Sequence, residues 1–285
     1  MTARPAALLA LALFVTGCTG FSEPNVDIEA ERAEGAVNPL DQDSLNDLML
    51  TVAGADEAVS YFRQALAQDP DDVELRRGYA RALDRNAQYG ESRLVWRRLV
   101  ESGEATRRDR VDYAFVLARL DLWDEVEGQL SLLPPGQETS RQLLVSAFLA
   151  DQRGEWDAAD AAYARARDLS PEPAGVVNNW GVSEMARGDM AAAEERFEEA
   201  VTLDPRLFGA KNNLAIAYGL QRKYRVPLVT LAEEERAVIL HNLGVIALRK
   251  GDREVGRGLL EQSLAVHPRH YAPAADKLAA LGVIQ

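Results

Sequence analysis

The sequence contains very little cysteine and histidine. Among its 285 residues there is one cysteine, Cys18, and there are three histidines, His241, His267 and His270. A single cysteine excludes an internal disulfide, and the two neighbouring histidines are separated by Pro268 and lack a third clustered ligand. The GxSxG, GxxxxGKS, GxxxxGKT, HExxH and CxxC motifs are also absent. We therefore expect no catalysis, no metal, no cofactor and no small-molecule substrate.

Positive charge is also scarce. The chain has 32 lysines and arginines against 45 aspartates and glutamates, a formal net charge of -13. A nucleic-acid partner is excluded because the phosphate backbone favours a dense basic surface. Arginines are nevertheless concentrated between Arg76 and Arg110, a stretch that contains ten arginines and only five acidic residues. This stretch is either an ordinary solvated helix face or a basic surface that attracts an acidic partner.

Long hydrophobic runs are missing, and the longest candidate lies at the N-terminus. The run from Ala6 to Phe14 follows Arg4 and is too short to span a bilayer, but it fits the apolar region of a secretory signal. The four residues up to Cys18 read Val-Thr-Gly-Cys and resemble the lipobox of bacterial lipoproteins. We expect residues 1–17 to be a cleaved signal peptide and Cys18 to be lipidated, which anchors the chain to a membrane. An ordinary signal peptide, or a chance cysteine, is the alternative.

The next segment, residues 18–38, is polar and acidic and contains Pro24. We interpret it as a tether between the anchor and a folded region at residues 39–285. An aspartate directly after the lipidated cysteine would resemble an inner-membrane retention signal, but Thr19 occupies this position. The expected location is therefore the periplasmic face of the outer membrane.

The folded region repeats with a nearly constant period of about 34 residues. A small or β-branched residue followed four positions later by a large apolar one recurs at Ala58/Phe62, Ser92/Trp96, Val126/Leu130, Ala159/Tyr163 and Ala193/Phe197. Twelve positions before most of these pairs, and again in the two last repeats, lies another small residue: Ala80, Ala114, Ala147, Gly181, Ala215 and Gly244. Prolines close several periods at Pro70, Pro171, Pro205 and Pro268. A fixed period of this length indicates a repeat architecture.

The pattern resembles the tetratricopeptide repeat, which consists of two antiparallel helices that pack through small residues. The clearest example spans Gly175–Pro205 and matches the family pattern at Gly181, Gly188, Ala193, Phe197, Ala200 and Pro205. The resemblance implies an all-α fold, a right-handed solenoid of about seven helix pairs between Pro39 and Pro268. A capping helix at Tyr271–Leu281 would close the last apolar face. The tryptophans fit packing positions: Trp96, Trp123, Trp156 and Trp180.

The sixth repeat departs from this pattern. The interval from Ala215 to Gly244 is shorter than the regular period, and Pro227 stands where a small residue is expected. The stretch Arg222–Val229 is therefore expected to be extended or irregular in place of a second helix. The alternative is a short helix that starts at Pro227.

A helix should begin shortly after this irregular stretch. Thr230 and Glu233 have the spacing of a capping box, so we expect a helix from about Leu231 to Lys250.

The family resemblance also implies where a partner binds. In this repeat the first helix of each pair lines a concave groove, and carrying the groove positions over gives two surfaces. The basic end comprises Arg77, Arg81, Arg85 and Arg108, with Asp84 and Arg119 beside them. The partner-binding groove comprises Asn178, Val182, Met185, Asn212, Ile216, Leu220, His241 and Val245, with Leu144, Phe148 and Leu248 beside them. Because so apolar a surface is unusual in water, either a partner segment or the chain's own tail should cover it.

Asparagines recur at two neighbouring positions of the first helices. Asn179, Asn213 and Asn242 occupy a consensus position of the repeat, and we expect structural hydrogen bonds there. Asn178 and Asn212 are expected to face the groove, where an amide can hold a peptide backbone.

Lipobox, acidic tether and repeats together resemble the TadD family, the repeat lipoproteins of the tight adherence (Flp) pilus machinery. The run Glu233–Asp252 and the shortened sixth repeat strengthen this resemblance. It implies an assembly role at the outer membrane, with a pilus secretin or another Tad component as partner. The alternatives are a pilotin of type IV pili and a scaffold for envelope peptidoglycan enzymes. An enzyme with an unrecognised site is the remaining class.

Overall fold

The computed structural model describes residues 42–282. The expected signal peptide, Cys18 and the tether lie outside the described residues. Within them the fold is all-α, with fourteen helices and no strand. The helices are α1 (Gln42–Thr51), α2 (Ala55–Gln68), α3 (Val73–Arg85), α4 (Tyr89–Glu101), α5 (Arg107–Arg119), α6 (Trp123–Ser131), α7 (Ser140–Arg153), α8 (Trp156–Leu169), α9 (Ala174–Ala186), α10 (Met190–Leu203), α11 (Phe208–Leu220), α12 (Glu233–Arg249), α13 (Arg253–Val266) and α14 (Ala272–Ala280).

The described chain divides within α8 into two compact bodies. The N-terminal body comprises residues 42–166 and the C-terminal body comprises residues 167–282. Both are built from antiparallel helix pairs that correspond to the sequence repeats. Each body has its own hydrophobic clusters.

Helices α3 and α5 of the N-terminal body start at side chains that cap them. The side chain of Asp72 accepts hydrogen bonds from the backbone N–H groups of Glu74 and Leu75 at the start of α3. Thr106 and Asp109 form a reciprocal capping box at the start of α5. These short polar side chains satisfy backbone donors that the first helical turn leaves unpaired.

The periodic small and aromatic residues form the cores of both bodies. Ala58, Phe62, Ser92, Trp96, Ala193 and Phe197 are all 0% exposed. The expected core positions are confirmed at these residues, whereas Leu130 of the third pair is only partly buried against its cluster.

In the fifth repeat, a methyl group at Gly181 would lie 2.7 Å from Cε1 of Phe197, so only glycine permits this helix approach. Gly188 has φ +92° in the turn, and α10 ends at Leu203, shortly before Pro205.

The sixth repeat has only its first helix, α11. Residues 222–232 are not helical, so the expected irregular stretch is confirmed and the alternative helix at Pro227 is wrong. The described chain thus has six complete pairs rather than seven. The expected helix after the irregular stretch is confirmed as α12, which begins at Glu233, two residues after Leu231, where the Glu235 carboxylate accepts the N–H of Ala232 at 3.1 Å. The expected capping box at Thr230 is therefore wrong.

The C-terminal helix closes the last repeat. Ala274 and Leu278 on α14 pack against Leu260 on α13 and are buried. The outward side of α14 carries exposed polar residues, including Asp276 and Lys277. The expected capping helix is confirmed, with a slightly shorter span than the sequence suggested.

Candidate functional site

The expected partner-binding groove residues of the C-terminal body lie on three first helices, α9, α11 and α12. These helices contact one another in that order. Met185 and Asn212 are buried, and the other six are partly buried: Asn178, Val182, Ile216, Leu220, His241 and Val245. Of these, Val182, Ile216 and Leu220 pack against one core cluster. The row is therefore a largely apolar surface whose side chains are held in place by packing against the hydrophobic core.

Asparagine side chains connect the first helices along this row. The Nδ2 atom of Asn213 donates to Oδ1 of Asn178 at 2.9 Å, and Nδ2 of Asn242 donates to Oδ1 of Asn212 at 2.8 Å. The expected structural bonds of Asn213 and Asn242 are thus confirmed. Each bond fixes the amide of the accepting asparagine, because the accepting oxygen can no longer exchange places with the nitrogen. Nδ2 of Asn178 then points away from Asn213 and has no hydrogen-bond partner among the described residues.

Asn179 differs from its two equivalents. Its Nδ2 atom is buried and has no hydrogen-bond partner among residues 42–282. The expected structural bond is therefore not made at this position. A buried, unpaired amide is unfavourable because it loses its hydration without compensation.

The chain's own tail contacts one end of the row. The ring of Tyr271 meets His241 edge-on at 5.8 Å and stacks on His267 at 5.0 Å. Leu248 and Tyr271 both pack against the cluster that includes α14. Burial lowers the pKa of His241 below its ordinary value, because the charged imidazolium is poorly solvated there. The described tail thus reaches the His241 end, while Val182 and Ile216 pack on the repeat core.

The expected basic end belongs to the N-terminal body, where its arginines are engaged inside the fold. Arg77 donates to Asp109 at 2.8 Å and to the carbonyl of Glu104 at 2.8 Å, and it also pairs with Glu74. Arg81 lies 3.3 Å from Asp112 and 3.5 Å from Asp109. Both aspartates are buried, so these pairs neutralise charges that would otherwise be costly to bury.

The other two arginines of this set have different surroundings. Arg85 donates to the backbone carbonyls of Met49, Leu50 and Ala53 at 2.7 to 3.1 Å, at the end of α1. Arg108 is exposed. An acidic partner would therefore meet Arg108 more readily than the three arginines whose guanidinium groups already bind other parts of the fold.

Asp84 is the most perturbed carboxyl of the N-terminal body. It accepts hydrogen bonds from the hydroxyl of Ser92 and, at 3.2 Å, from Nε1 of Trp96. Burial raises its pKa to about 7, because neither of these partners is a cation. The group is held by contacts between the two helices of its own repeat.

Sequence reasoning missed the buried acids that hold the arginines. Asp109 could have been found, because Thr106 and Asp109 have capping-box spacing. Asp112 carries no comparable local signal. Its role depends on Arg81 and on Arg141, whose Nε lies 2.8 Å from the Asp112 carboxylate.

The described residues contain no group of three or more His, Cys, Asp or Glu side chains placed to bind a metal ion. Over the same range, no helix combines the length and the apolar character needed to cross a bilayer.

Two family models match the chain, and both describe the tetratricopeptide repeat. One covers residues 55–105 and the other covers residues 147–222. The chain carries tetratricopeptide repeats. The repeat fold suggests a protein-binding scaffold, and proteins of this kind are generally not enzymes. No curated protein matches the sequence.

Solved structures with tetratricopeptide-like folds are similar to the chain. The human IFIT1 dimer with PPP-AAAA has a TM-score of 0.62 at 18% identity, with coverage of 84% of this chain and 62% of that chain. The APC/C hetero-tetramer Cut9–Hcn1 has a TM-score of 0.54 at 15% identity, and the match spans 84% of this chain but only 47% of that chain. A tetratricopeptide repeat protein from Parabacteroides merdae has a TM-score of 0.51 at 13% identity, and the match covers 83% of this chain and 95% of that chain. At these identities the similarity shows the repeat fold alone.

Proposed function

We propose that the protein is a lipid-anchored scaffold of the outer membrane that binds a segment of another protein in the groove of its C-terminal body. The groove is the surface on which Asn178, Val182 and Ile216 lie. Its apolar side chains are supported by one core cluster and are flanked by asparagine amides of fixed orientation. This combination is the observation that carries the proposal, because it suits a peptide with apolar side chains and an unpaired backbone.

In this mechanism the apolar side chains provide affinity and the amides provide orientation. A partner segment buries its apolar residues on Val182, Ile216 and Val245. Nδ2 of Asn178 donates to a backbone carbonyl of that segment, since its own oxygen already accepts from Asn213. The amide recognises the backbone irrespective of the partner's side chains.

The biological setting proposed here is assembly of the tight adherence (Flp) pilus, as the resemblance to the TadD family suggests. In this setting Cys18 carries the lipid, the acidic segment 18–38 is the tether, and the partner is a secretin or another Tad component. A pilotin of type IV pili or a scaffold for peptidoglycan enzymes would use the same groove with another partner.

A pull-down of the lipidated protein from detergent-solubilised envelopes tests the proposal. We expect to recover a pilus secretin, and to lose it with the double variant Val182→Ala/Ile216→Ala. Leu94→Ala is the matched control, because Leu94 is an exposed leucine on α4, outside the groove. The melting temperatures of all variants are compared to exclude unfolding. Cys18→Ser should move the protein from the membrane fraction to the soluble periplasm.

Recovery of peptidoglycan enzymes in place of a secretin would contradict the pilus assignment. Equal recovery with the double alanine variant would contradict the groove.

A further inference from the structure

Three β-branched side chains form an apolar row across the first helices of the C-terminal body. Val182 on α9, Ile216 on α11 and Val245 on α12 occupy the same position of their repeats and are partly buried. Helix α11 contacts both α9 and α12, and the axes of packed helices lie about 8–10 Å apart. β-branched side chains have few rotamers, so their positions are well defined. The groove therefore presents one apolar contact about every 9 Å along its length.

The asparagines beside this row present a hydrogen-bond donor. The Oδ1 atoms of Asn178 and Asn212 already accept from Asn213 and Asn242, at 2.9 and 2.8 Å. Asn178 is partly buried, and its Nδ2 atom has no hydrogen-bond partner among residues 42–282. An amide N–H binds a backbone carbonyl but not a backbone N–H. A segment that is rich in carbonyls and poor in N–H groups therefore suits the groove.

The spacing of the row and the donor of Asn178 together favour one backbone conformation. An α-helix uses its carbonyls in internal hydrogen bonds, so it leaves none for Asn178 except in its last turn. In a β-strand, side chains on one face recur about every 7 Å, out of step with helices about 9 Å apart. A polyproline II segment rises about 3.1 Å per residue with three residues per turn, so one face recurs about every 9 Å and its carbonyls are unpaired. Every third side chain of such a segment meets Val182, Ile216 and Val245 in turn.

The charged groups beneath the row are paired with one another. Glu184 on α9 is buried and lies 3.4 Å from Arg196 and 3.9 Å from Arg187. Lys211 on α11 is buried and lies 3.1 Å from Glu235. No other residue of α9 or α11 is charged. The part of the row on these two helices is therefore neutral.

Charges of both signs border the α12 end of the row. Glu234 lies about two helical turns before His241 and Arg249 lies about one turn after Val245, and both are exposed. Burial lowers the pKa of His241, and the positive charge of Lys277 on α14 lowers it further, so this ammonium lies near the row. A basic segment would be repelled by Lys277, and a carboxylate would lose its hydration on the neutral part of the row. The row thus fits an uncharged segment.

We propose that the groove of the C-terminal body binds an uncharged, proline-rich segment in the polyproline II conformation, with an apolar residue at every third position. The apolar residues pack on Val182, Ile216 and Val245, and one backbone carbonyl accepts from Nδ2 of Asn178. Proline lacks the N–H group and fixes φ near the value of this conformation, so little entropy is lost on binding. This inference rests on the groove proposed above and adds the chemical class of its partner.

Three uncharged peptides of equal length, capped at both ends, test the proposal. The first repeats Leu-Pro-Pro four times, and the second has the same composition with its leucines irregularly spaced. The third has alanine in place of every proline, which favours an α-helix. Binding is measured by calorimetry to the full-length chain with Cys18→Ser, which avoids detergent. We expect saturable one-to-one binding of the first peptide, and binding about tenfold weaker or more for the other two.

Matched variants locate the site. Val182→Ala/Ile216→Ala should weaken the first peptide about tenfold, whereas Leu94→Ala/Val255→Ala removes two exposed apolar side chains outside the groove and should bind normally. Asn178→Asp should also weaken it about tenfold, because the donor is lost while the oxygen that accepts from Asn213 remains.

Gln64→Glu is the control for Asn178→Asp, because it makes the same change from amide to carboxylate at an exposed residue. The melting temperatures of all variants are compared to exclude unfolding.

The outcomes separate this inference from the groove itself. If the alanine peptide binds more tightly than the proline peptide, and loses affinity with Val182→Ala/Ile216→Ala, the groove stands and the polyproline II assignment is overturned. Equal binding of the regular and irregular proline peptides, or no effect of the groove variants on the regular one, also overturns it. If no peptide binds, the inference is wrong, and the envelope pull-down with the same double variant decides separately whether a partner uses the groove.

Discussion

The side chain of Asn213 donates a hydrogen bond from Nδ2 to Oδ1 of Asn178 at 2.9 Å, across two neighbouring first helices. At the equivalent position of the preceding repeat, Nδ2 of Asn179 is buried and has no partner among the described residues. The same residue type thus has opposite energetic consequences at two equivalent positions.

We expect Asn213→Ala to lower the free energy of unfolding by about 1 kcal/mol, because it removes this bond and leaves Asn178 without its donor. Asn179→Ala should be neutral or stabilising, since it removes an amide that is already unpaired. Urea denaturation of both variants measures the difference. If both alanines cost the same, the hydrogen bond would not be the cause.

Stability should depend on pH through Asp84. Its folded pKa is raised to about 7 from the ordinary value of 3.8, so its stabilising contribution is complete below pH 3.8 and is lost as the pH rises through about 7. Between pH 5 and pH 8 this group should lower the free energy of unfolding by about 2–3 kcal/mol. Asp84→Asn should remove that decrease in urea titrations at both pH values. Asp71→Asn, at an exposed position, should leave it unchanged.

The approach of Phe197 to Gly181 predicts a large effect of one methyl group. Gly181→Ala places Cβ 2.7 Å from the Phe197 ring and should destabilise the protein by about 1–3 kcal/mol. Adding Phe197→Leu should recover part of the loss, as a thermal double-mutant cycle would show. Gly128→Ala is the control, because a Cβ there meets nothing within 4 Å and a helical alanine is favoured over glycine. A similar loss with Gly128→Ala would show that the steric contact is not the cause.

Arg85 should hold the first helix to the N-terminal body. Its guanidinium donates to three carbonyls at the end of α1, so Arg85→Ala should increase hydrogen exchange in Gln42–Thr51. Arg85→Lys should rescue this only partly, because an ammonium cannot reproduce the planar fork of donors. Arg108→Ala, at an exposed residue, should not change the exchange. If the protection of α1 from hydrogen exchange is unchanged in Arg85→Ala, the apolar contacts of α1 are enough to hold this helix to the N-terminal body.

The sequence by itself determined the helical repeats of this protein. Small residues at a regular period, each with a large apolar residue four positions later, leave few ways to pack two helices other than the observed one. The defective sixth repeat was also readable, because Pro227 and the shortened interval from Ala215 to Gly244 are local facts.

The roles of individual polar side chains were decided only by the tertiary structure. The resemblance to the repeat family implies that Arg77 and Arg81 face a groove, yet Asp109 and Asp112 of the next repeat accept their hydrogen bonds. Asn213 and Asn179 share a repeat position, but only the first finds an acceptor. Periodicity reports which face of a helix is apolar, whereas a hydrogen bond or ion pair between repeats depends on atoms that are distant along the chain. The partner of each such polar side chain is therefore determined only when the helices pack.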